Sequence, residues 1–249
     1  MKSAIHLLGA ALAALAAAVP APADTPVLVE LFTSEGCSSC PSADRLLARL
    51  AADQPVPGAL VVPLSLHVDY WNHLGWKDPF SSPRYTERQG AYAARFRSAG
   101  RVYTPQMVVD GRTAFVGSDE RTARRAIEAE VREPKAFVRV APDTAGAVHV
   151  NVAGASAGAD VLLAIVEDGI VSEVTRGENA GRRLAHTAVA RNLFAAGRVD
   201  ATGRFDATLP VESGQAARRV LAFVQECGTG RVLGVSASAD LPRPTKQKK

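Results

Sequence analysis

The stretch SEGCSSCPSAD, residues 34–44, places two cysteines three positions apart, with a proline directly after the second. Before it, residues 27–32 form a short, apolar, β-branched run that predicts a buried strand. After it, apolar residues recur at the spacing of one helical face. They are Ala43, Leu46, Leu47 and Leu50. A second apolar run, residues 59–68, predicts another strand, so the order indicates a βαβ unit with Cys37 and Cys40 at the strand-to-helix turn.

Two more helices and a hairpin are predicted in the first half of the chain. Residues 83–96 have helical apolar spacing, and Asp110-Gly111 separates two apolar runs within residues 102–116, which is a strong hairpin signal. Ser118 is the expected N-cap of a third helix that ends at Pro134. The predicted order is therefore β-α-β-α-β-β-α, an α/β domain over residues 24–133.

Short apolar runs spaced by Gly, Asp and Ser follow Pro134 and predict a mostly antiparallel β-sandwich domain over residues 134–240. These runs are residues 137–140, 148–152, 161–166, 220–224 and 232–235. An arginine-rich segment, residues 176–198, interrupts them, and its residues 187–196 are predicted to be helical. This segment is expected to be either a solvated loop or a docking loop for the first domain or an acidic partner.

The N-terminus is typical of an exported protein. An apolar run of about 13 residues ends in a small-x-small pattern at Ala21 and Ala23, which predicts a signal peptide over residues 1–23 and cleavage near Ala23. Such a run is shorter than the roughly 20 residues that span a bilayer, so no membrane span is expected and the protein is placed in the periplasm or outside the cell. The formal charge of +4 lies partly in a basic tail, residues 241–249, and no basic stripe with aromatics indicates nucleic-acid binding.

The cysteine pair is interpreted first as a redox centre. A helix N-terminus stabilises a thiolate, so Cys37 is the expected nucleophile and Cys40 the resolving thiol. A purely structural disulfide is the alternative, but closing a loop of only four residues adds little to the stability of the folded protein. The redox interpretation requires an accessible Cys37, whereas a non-catalytic binding module predicts a buried, unreactive pair.

The element order and the cysteine position resemble the thioredoxin fold. That resemblance implies a cis peptide bond at Thr104–Pro105, facing the cysteines and the substrate. It also implies a buried acid that accepts a proton, for which Glu30 is the candidate in the first strand. The alternative for Glu30 is an edge position or an arginine partner.

A metal centre is the second chemical interpretation. His67 ends the second predicted strand and His73 follows, and two thiolates with one histidine suit copper or zinc. Some copper carriers with a thioredoxin fold are similar in using two cysteines and a distant histidine. The alternative set of ligands is therefore Cys37 and Cys40 with His67 or His73. More commonly, a histidine at such a position is a loop or strand-end residue whose hydrogen bonds are made within the protein.

An aromatic segment, residues 70–80, follows the second strand on the side expected to hold Cys37. Tyr70, Trp71 and Trp76 are predicted, with Thr104, to wall a substrate groove, because ligands of open α/β sheets bind at that edge. A cap that closes the core is the alternative role.

Five motifs make the chain similar to one family of exported bacterial proteins. They are VELFTSEGCSSCP at residues 29–41, VDYWN at 68–72, GWKDPF at 75–80, YTPQM at 103–107 and RGENAGR at 176–182. The chain resembles the family catalogued as domain of unknown function 1223. The resemblance implies a thioredoxin-like domain and a β-rich C-terminal part, but no substrate.

The expected function is thiol–disulfide exchange on exported protein thiols, with a redox partner protein and no cofactor besides the redox-active disulfide. The alternatives are a periplasmic metal carrier and a non-catalytic module of the same fold. Cys227 is expected to be buried and inert, since cysteine is among the most buried residue types, and an intermolecular disulfide is the alternative if it is exposed. His186 belongs to no Ser-His-Asp arrangement and is expected to be a polar core residue. The oligomeric state stays open.

Overall fold

The structure is a computed structural model of the 249-residue chain and describes residues 24–96, 101–143, 146–211 and 218–239. The expected signal peptide and basic tail lie outside the described residues. Within them, the chain is a mixed α/β protein with a large, mostly β sheet and few helices.

The first half contains the predicted elements in the predicted order. They are β1 (Thr25–Thr33), α1 (Cys40–Asp53), β2 (Ala59–His67), a short 3-10 helix (Asn72–Leu74), α2 (Pro83–Arg95), β3 (Gln106–Val109), β4 (Thr113–Val116) and α3 (Glu120–Val131). The predicted N-cap of α3 is wrong by one residue. Asp119 caps this helix instead of Ser118, because its carboxylate accepts a hydrogen bond from the Thr122 N–H at 3.0 Å.

The second half consists of strands in the described residues. They are β5 (Phe137–Pro142), β6 (Ala147–Ala153), β7 (Asp160–Glu167), β8 (Ile170–Glu173), β9 (Arg183–His186), β10 (Val189–Arg198), β11 (Arg204–Pro210), β12 (Arg218–Gln225) and β13 (Val232–Ala237). The helix predicted over residues 187–196 is wrong, since residues 189–196 belong to β10. It pairs with β7 along its length, and these tertiary hydrogen bonds override the local preference.

One eight-stranded sheet joins the two halves. Its order is β13-β12-β7-β10-β2-β1-β3-β4. β1 and β2 are parallel over nine residue pairs, as the βαβ pattern predicted, while β10 meets β2 through the pair Val189 and Ser65. The sheet therefore continues past Pro134, the predicted boundary.

A second, three-stranded antiparallel sheet, β11-β6-β5, packs against β7 and β12. Alternate valines of β6 point into this interface: Val148, Val150 and Val152. They meet Val161 and Leu163 of β7, so two sheet faces bury a core of aliphatic side chains.

The two faces of β1 are covered by different helices. Val27, Val29 and Leu31 pack against α1 and α3, whereas Leu28 and Phe32 belong to the core that contains Tyr85 and Tyr92 of α2. Because α1 starts where β1 ends, the CxxC turn lies at the carboxyl edge of the parallel pair. In the described part of the chain, no helix has both the length and the apolar character needed to cross a membrane.

Candidate functional site

Cys37 and Cys40 form a disulfide across the first turn of α1. Their Cα atoms are 5.4 Å apart, and the Cys40 N–H donates to the Cys37 carbonyl at 3.2 Å. Both cysteines are 0% exposed, although Ser38 and Ser39 between them are exposed. The accessible Cys37 that the redox interpretation required is therefore absent from this conformation.

Thr104–Pro105 is a cis peptide bond, the geometry expected for it. The Pro105 carbonyl accepts a hydrogen bond from the Gly117 N–H at 2.9 Å. A Cβ at Gly117 would lie 3.1 Å from the Ala43 side chain and 3.2 Å from the Pro105 side chain. Gly117 thus lets Pro105 pack closely beside the first turns of α1.

Three of the predicted aromatic residues form polar contacts around the CxxC turn. The Trp71 indole donates to the Thr104 hydroxyl at 2.7 Å, and the Trp76 indole donates to the Glu35 carboxylate at 2.8 Å. The Tyr70 hydroxyl donates to Gln89 at 3.2 Å. These side chains are half-buried. They tie the segment after β2 to the turn before Cys37 and to the loop before Pro105.

Five buried ionisable residues from different elements form a cluster that begins at Glu35, two residues before Cys37. This ionisable cluster comprises Glu35, Asp44, His67, Asp78 and His186. His67 bonds Asp78 at 2.7 Å, His186 bonds Glu35 at 3.1 Å, and the two histidine rings are 4.9 Å apart between centroids. The Glu35 N–H donates to Asp78 at 2.8 Å and links the two pairs.

Hydrogen bonds and opposite charges favour the ionised forms of Glu35, His67 and Asp78 despite their burial. Burial acts to lower the pKa of His67, but the charge and hydrogen bond of Asp78 outweigh it and leave that pKa raised. Burial acts to raise the pKa of Asp78, yet His67 and two backbone N–H groups leave it lowered. The pKa of Glu35 is lowered against its burial by bonds from His186, Ser172 and Trp76.

Asp44 behaves differently within the cluster. Its carboxylate accepts a hydrogen bond from the Thr33 hydroxyl at 2.9 Å. Burial raises the pKa of Asp44, and the attraction of His186 and His67 does not compensate. Asp44 follows Cys40 by four residues, so both side chains lie on the same face of α1 about one turn apart. Among the three carboxyl groups of the cluster, Asp44 is the one whose pKa is raised.

Glu30 does not join the cluster. Its carboxylate is fully buried and forms an ion pair with Arg88 of α2 at 2.6 Å and a hydrogen bond with the Tyr92 hydroxyl at 2.6 Å. Side chains of a strand alternate between faces, so Glu30 points to the α2 side of β1 and not to the α1 side. The structure thus matches the alternative in which an arginine is its partner.

Besides His186, two residues from one loop of the second half bind the backbone around the CxxC turn. Asn179 donates to the carbonyls of Glu35 and Cys37 at 2.8 and 2.9 Å, and Glu178 accepts from the Ser38 N–H at 3.0 Å. Both residues belong to the RGENAGR motif. The sequence allowed this segment to be either a solvated loop or a docking loop, and the structure shows a loop that docks on the first half of the chain.

Sequence reasoning missed most of this arrangement. Asp44 and Glu35 flank the cysteines in the opening motif, and Asp78 and Asn179 lie in motifs that were noted only for similarity. His186 was expected to be a polar core residue, and it is buried at 3% exposure with Glu35 as its partner. The sequence signal that could have found these residues was an acid or a histidine within an otherwise apolar element, which indicates a buried ionisable group.

The histidines proposed as metal ligands are placed apart. His67 is buried and bonded to Asp78, whereas His73 is exposed in the 3-10 helix. Among the described residues, no group of three or more His, Cys, Asp or Glu is arranged to hold a metal ion. The prediction for Cys227 is wrong in one respect: this free thiol is exposed, because the turn after β12 places it at the surface.

The fold and the site define an α/β protein with a buried CxxC disulfide at the start of a helix and a cluster of buried ionisable residues that includes Glu35 just before the disulfide and Asp44 just after it. A scan against protein families matches residues 28–225 to the family described as protein of unknown function DUF1223. The chain belongs to this family, as its motifs indicated.

A solved relative supports the same fold. The chain is 28% identical to a protein from Agrobacterium tumefaciens with a crystal structure, with a TM-score of 0.73. The alignment covers 92% of this chain and 100% of the other. A comparison with curated proteins finds no match.

Proposed function

We propose that the protein is an exported thiol–disulfide oxidoreductase of thioredoxin type that acts on protein thiols. The carrying observation is the Cys37–Cys40 disulfide at the start of α1, with the Asp44 carboxyl one helical turn further in. The parallel β1–α1–β2 unit supports the thioredoxin-like assignment. The N-terminal pattern of residues 1–23 supports export and a periplasmic or secreted location.

The proposed reaction begins at Cys37. A partner thiolate attacks its sulfur, the Cys37–Cys40 bond breaks, and Cys40 leaves as a thiolate that takes a proton. A second partner thiol then attacks the partner's sulfur in the mixed disulfide and releases Cys37. The two partner thiols are oxidised to one disulfide while Cys37 and Cys40 are reduced to thiols. The reverse sequence reduces a partner disulfide.

Asp44 is the proposed proton carrier for Cys40. A buried thiolate is destabilised by desolvation, so a nearby acid that can give it a proton favours opening of the disulfide. Because its pKa is raised above that of an ordinary aspartate, the Asp44 carboxyl is better able to carry a proton than an exposed carboxylate is. Asp44 thus replaces Glu30 in the role first expected for the buried acid.

The ionisable cluster argues against a purely structural disulfide. Burying five ionisable groups destabilises a fold unless they are paired, and replacing such groups by apolar ones is often neutral or stabilising. Groups of this kind occur preferentially where proton transfer or charge stabilisation is needed.

A non-catalytic binding module is the second candidate, because complete burial of Cys37 favours it. In that function the cysteine pair would only close the turn, and the aromatic residues around it would form a docking surface.

Titration against glutathione redox buffers separates the two candidates. Cysteines are alkylated after equilibration, and the mass of the peptide that contains Cys37 and Cys40 reports their redox state. A reversible transition at a defined potential is expected for the oxidoreductase. A pair that stays oxidised in every buffer, or does not re-oxidise after forced reduction, contradicts the proposal and favours the binding module.

A further inference from the structure

A loop from the second half of the chain is closed onto the CxxC turn. We call residues 174–182, which connect β8 and β9, the strap. Its ends are held together because the Val174 N–H donates to the Arg182 carbonyl at 3.0 Å and the Gly181 N–H donates to the Val174 carbonyl at 2.7 Å. The strap is therefore a compact loop with its two ends bonded to each other, so the residues at its tip can move together.

Asn179 is the centre of the contact and is 0% exposed. Its Nδ2 donates to the backbone carbonyls of Glu35 and Cys37, while its Oδ1 accepts from Arg182 at 3.0 Å. The Glu35 carbonyl would lose this donor if the strap left while water was excluded, which costs free energy, whereas the Cys37 carbonyl also accepts from the Cys40 N–H at 3.2 Å. The side-chain amide of Asn179 supplies that donor in the way that a peptide N–H would.

Glu178 is the second contact. Its carboxylate accepts from the Ser38 N–H at 3.0 Å and from the Ser38 hydroxyl, and these bonds lower the pKa of Glu178. A negative charge is therefore held beside the helix N-terminus, where a thiolate of Cys37 would form. This charge opposes thiolate formation, because like charges repel.

Gly177 is the third contact and shows that the strap is fitted to the first half. It has a φ of +75°, and a Cβ there would lie 3.2 Å from the Trp76 Cβ. Trp76 in turn donates to Glu35, the residue whose carbonyl Asn179 holds.

We infer that the strap occupies the place of a partner polypeptide. On this basis, which rests on the proposed function, the strap must leave before Cys37 can react. An extended segment of the partner that carries a cysteine then donates its backbone N–H groups to the carbonyls of Glu35 and Cys37. The partner class is thus a flexible or unfolded polypeptide thiol, since a folded surface rarely offers free N–H groups beside a cysteine.

The first test measures access to the disulfide. Asn179→Asp keeps an acceptor for Arg182 but removes the donor to the two carbonyls. We expect dithiothreitol to reduce the Cys37–Cys40 bond of this variant about tenfold faster than in the wild type, the effect of losing one to two hydrogen bonds. Asn192→Asp, at an exposed position of β10, makes the same chemical change away from the strap and should leave the rate unchanged. Equal rates in all three proteins overturn the inference.

The second test addresses the partner. A synthetic cysteine peptide is compared with the same peptide carrying N-methyl groups on the residues that flank the cysteine. The unmodified peptide is expected to reduce the wild-type protein several times faster, while both peptides reduce glutathione disulfide, a small linear disulfide, at the same rate. If both peptides reduce the protein equally fast, its carbonyls do not bind partner N–H groups and this inference is wrong.

A milder variant covers the case in which Asn179→Asp does not fold. Glu178→Gln changes an exposed side chain, and removal of its charge should shift the glutathione equilibrium about threefold toward the dithiol. Glu173→Gln in exposed β8 is the matched control and should shift nothing. An unchanged equilibrium and rate in Glu178→Gln contradict the strap's role. A protein that shows no redox transition in any variant instead contradicts the proposed function itself.

Discussion

At the scale of single residues, Asp44 is the group whose chemistry can be tested most directly. We predict that Asp44→Asn slows exchange between Cys37/Cys40 and a peptide disulfide by about 100-fold or more, as loss of a general acid–base group does. Its pH–rate profile should also lose the inflection that belongs to this carboxyl. Stopped-flow kinetics between pH 4 and pH 9 measure both effects.

Asp53→Asn is the matched control for Asp44→Asn. Asp53 is the last residue of α1 and is exposed, so this change removes an acid from the same helix without touching the ionisable cluster. Its rate and profile should equal those of the wild type. A loss of rate in Asp44→Asn with an unaltered pH profile would indicate a purely structural effect and would contradict proton transfer.

His67 links the ionisable cluster to stability. Its folded pKa is raised above the value of about 6.5 that an unfolded histidine has. The stabilisation from the His67–Asp78 pair is therefore fully present below about pH 6.5 and is lost as pH rises through the raised folded pKa. We predict that His67→Asn, which keeps a neutral donor, lowers the free energy of unfolding by about 3–5 kcal/mol at pH 6 and by less at pH 9.

Urea unfolding at a series of pH values checks this prediction, with the disulfide kept oxidised. The exposed His73 gives the control variant His73→Asn, which should follow the wild type at each pH. The other titratable groups around His67 are Glu35, Asp44 and His186, and they are the same in all three proteins. A His67→Asn deficit that does not change with pH would rule out a charged His67–Asp78 pair.

At the scale of elements, the packing of α1 beside Pro105 depends on Gly117. A Cβ at this position would come within 3.1 Å of Ala43 and 3.2 Å of Pro105. We predict that Gly117→Ala destabilises the protein by about 1–3 kcal/mol, the usual effect of overpacking a filled core. Thermal unfolding followed by circular dichroism measures it.

Gly90 of α2 supplies the opposite case. It is helical, and nothing lies within 4 Å of a Cβ built on it. Gly90→Ala should therefore raise stability by about 0.5–1 kcal/mol, because alanine favours the helix over glycine. If both variants shift the free energy of unfolding in the same direction, close packing around Gly117 does not explain why a side chain is unfavourable there.

At the scale of the whole molecule, the two halves share one sheet and one core. β10 lies beside β2, and the core cluster on the α2 side of β1 also contains Leu221 and Phe223 of β12. Arg88 of α2 reaches Gln225 at 3.0 Å as well as Glu30. These contacts connect the regions on both sides of Pro134.

We predict that a fragment of residues 24–133 does not fold cooperatively on its own. Without β12, the apolar surface around Phe32 and Tyr92 would be exposed, and β2 would become an open sheet edge. Near-UV circular dichroism and urea unfolding of the fragment test this. A cooperative transition would establish residues 24–133 as an independent domain with a boundary near Pro134.

The elements with strong local signals were predicted closely. β1 and β2 follow from short apolar runs, α1 follows from apolar periodicity, and the β3–β4 hairpin follows from Asp110-Gly111, because these patterns arise from backbone geometry within a few residues. β10 was mistaken for a helix because its strand state is stabilised by β7, a distant segment.

The sequence by itself determined the cysteine pair at a strand-to-helix turn, the parallel β1–β2 arrangement and membership of the family, since each depends on residues close together in the chain or on a motif. Only the tertiary structure decided which acid lies near the cysteines and what covers them. Glu30 and Asp44 are both buried acids near the motif, but strand alternation points Glu30 toward Arg88, while the helical repeat places Asp44 on the face of α1 that carries Cys40. His186 and Asn179 reach the site from about 140–150 residues away, and such contacts depend on how the sheet closes, which no local pattern encodes.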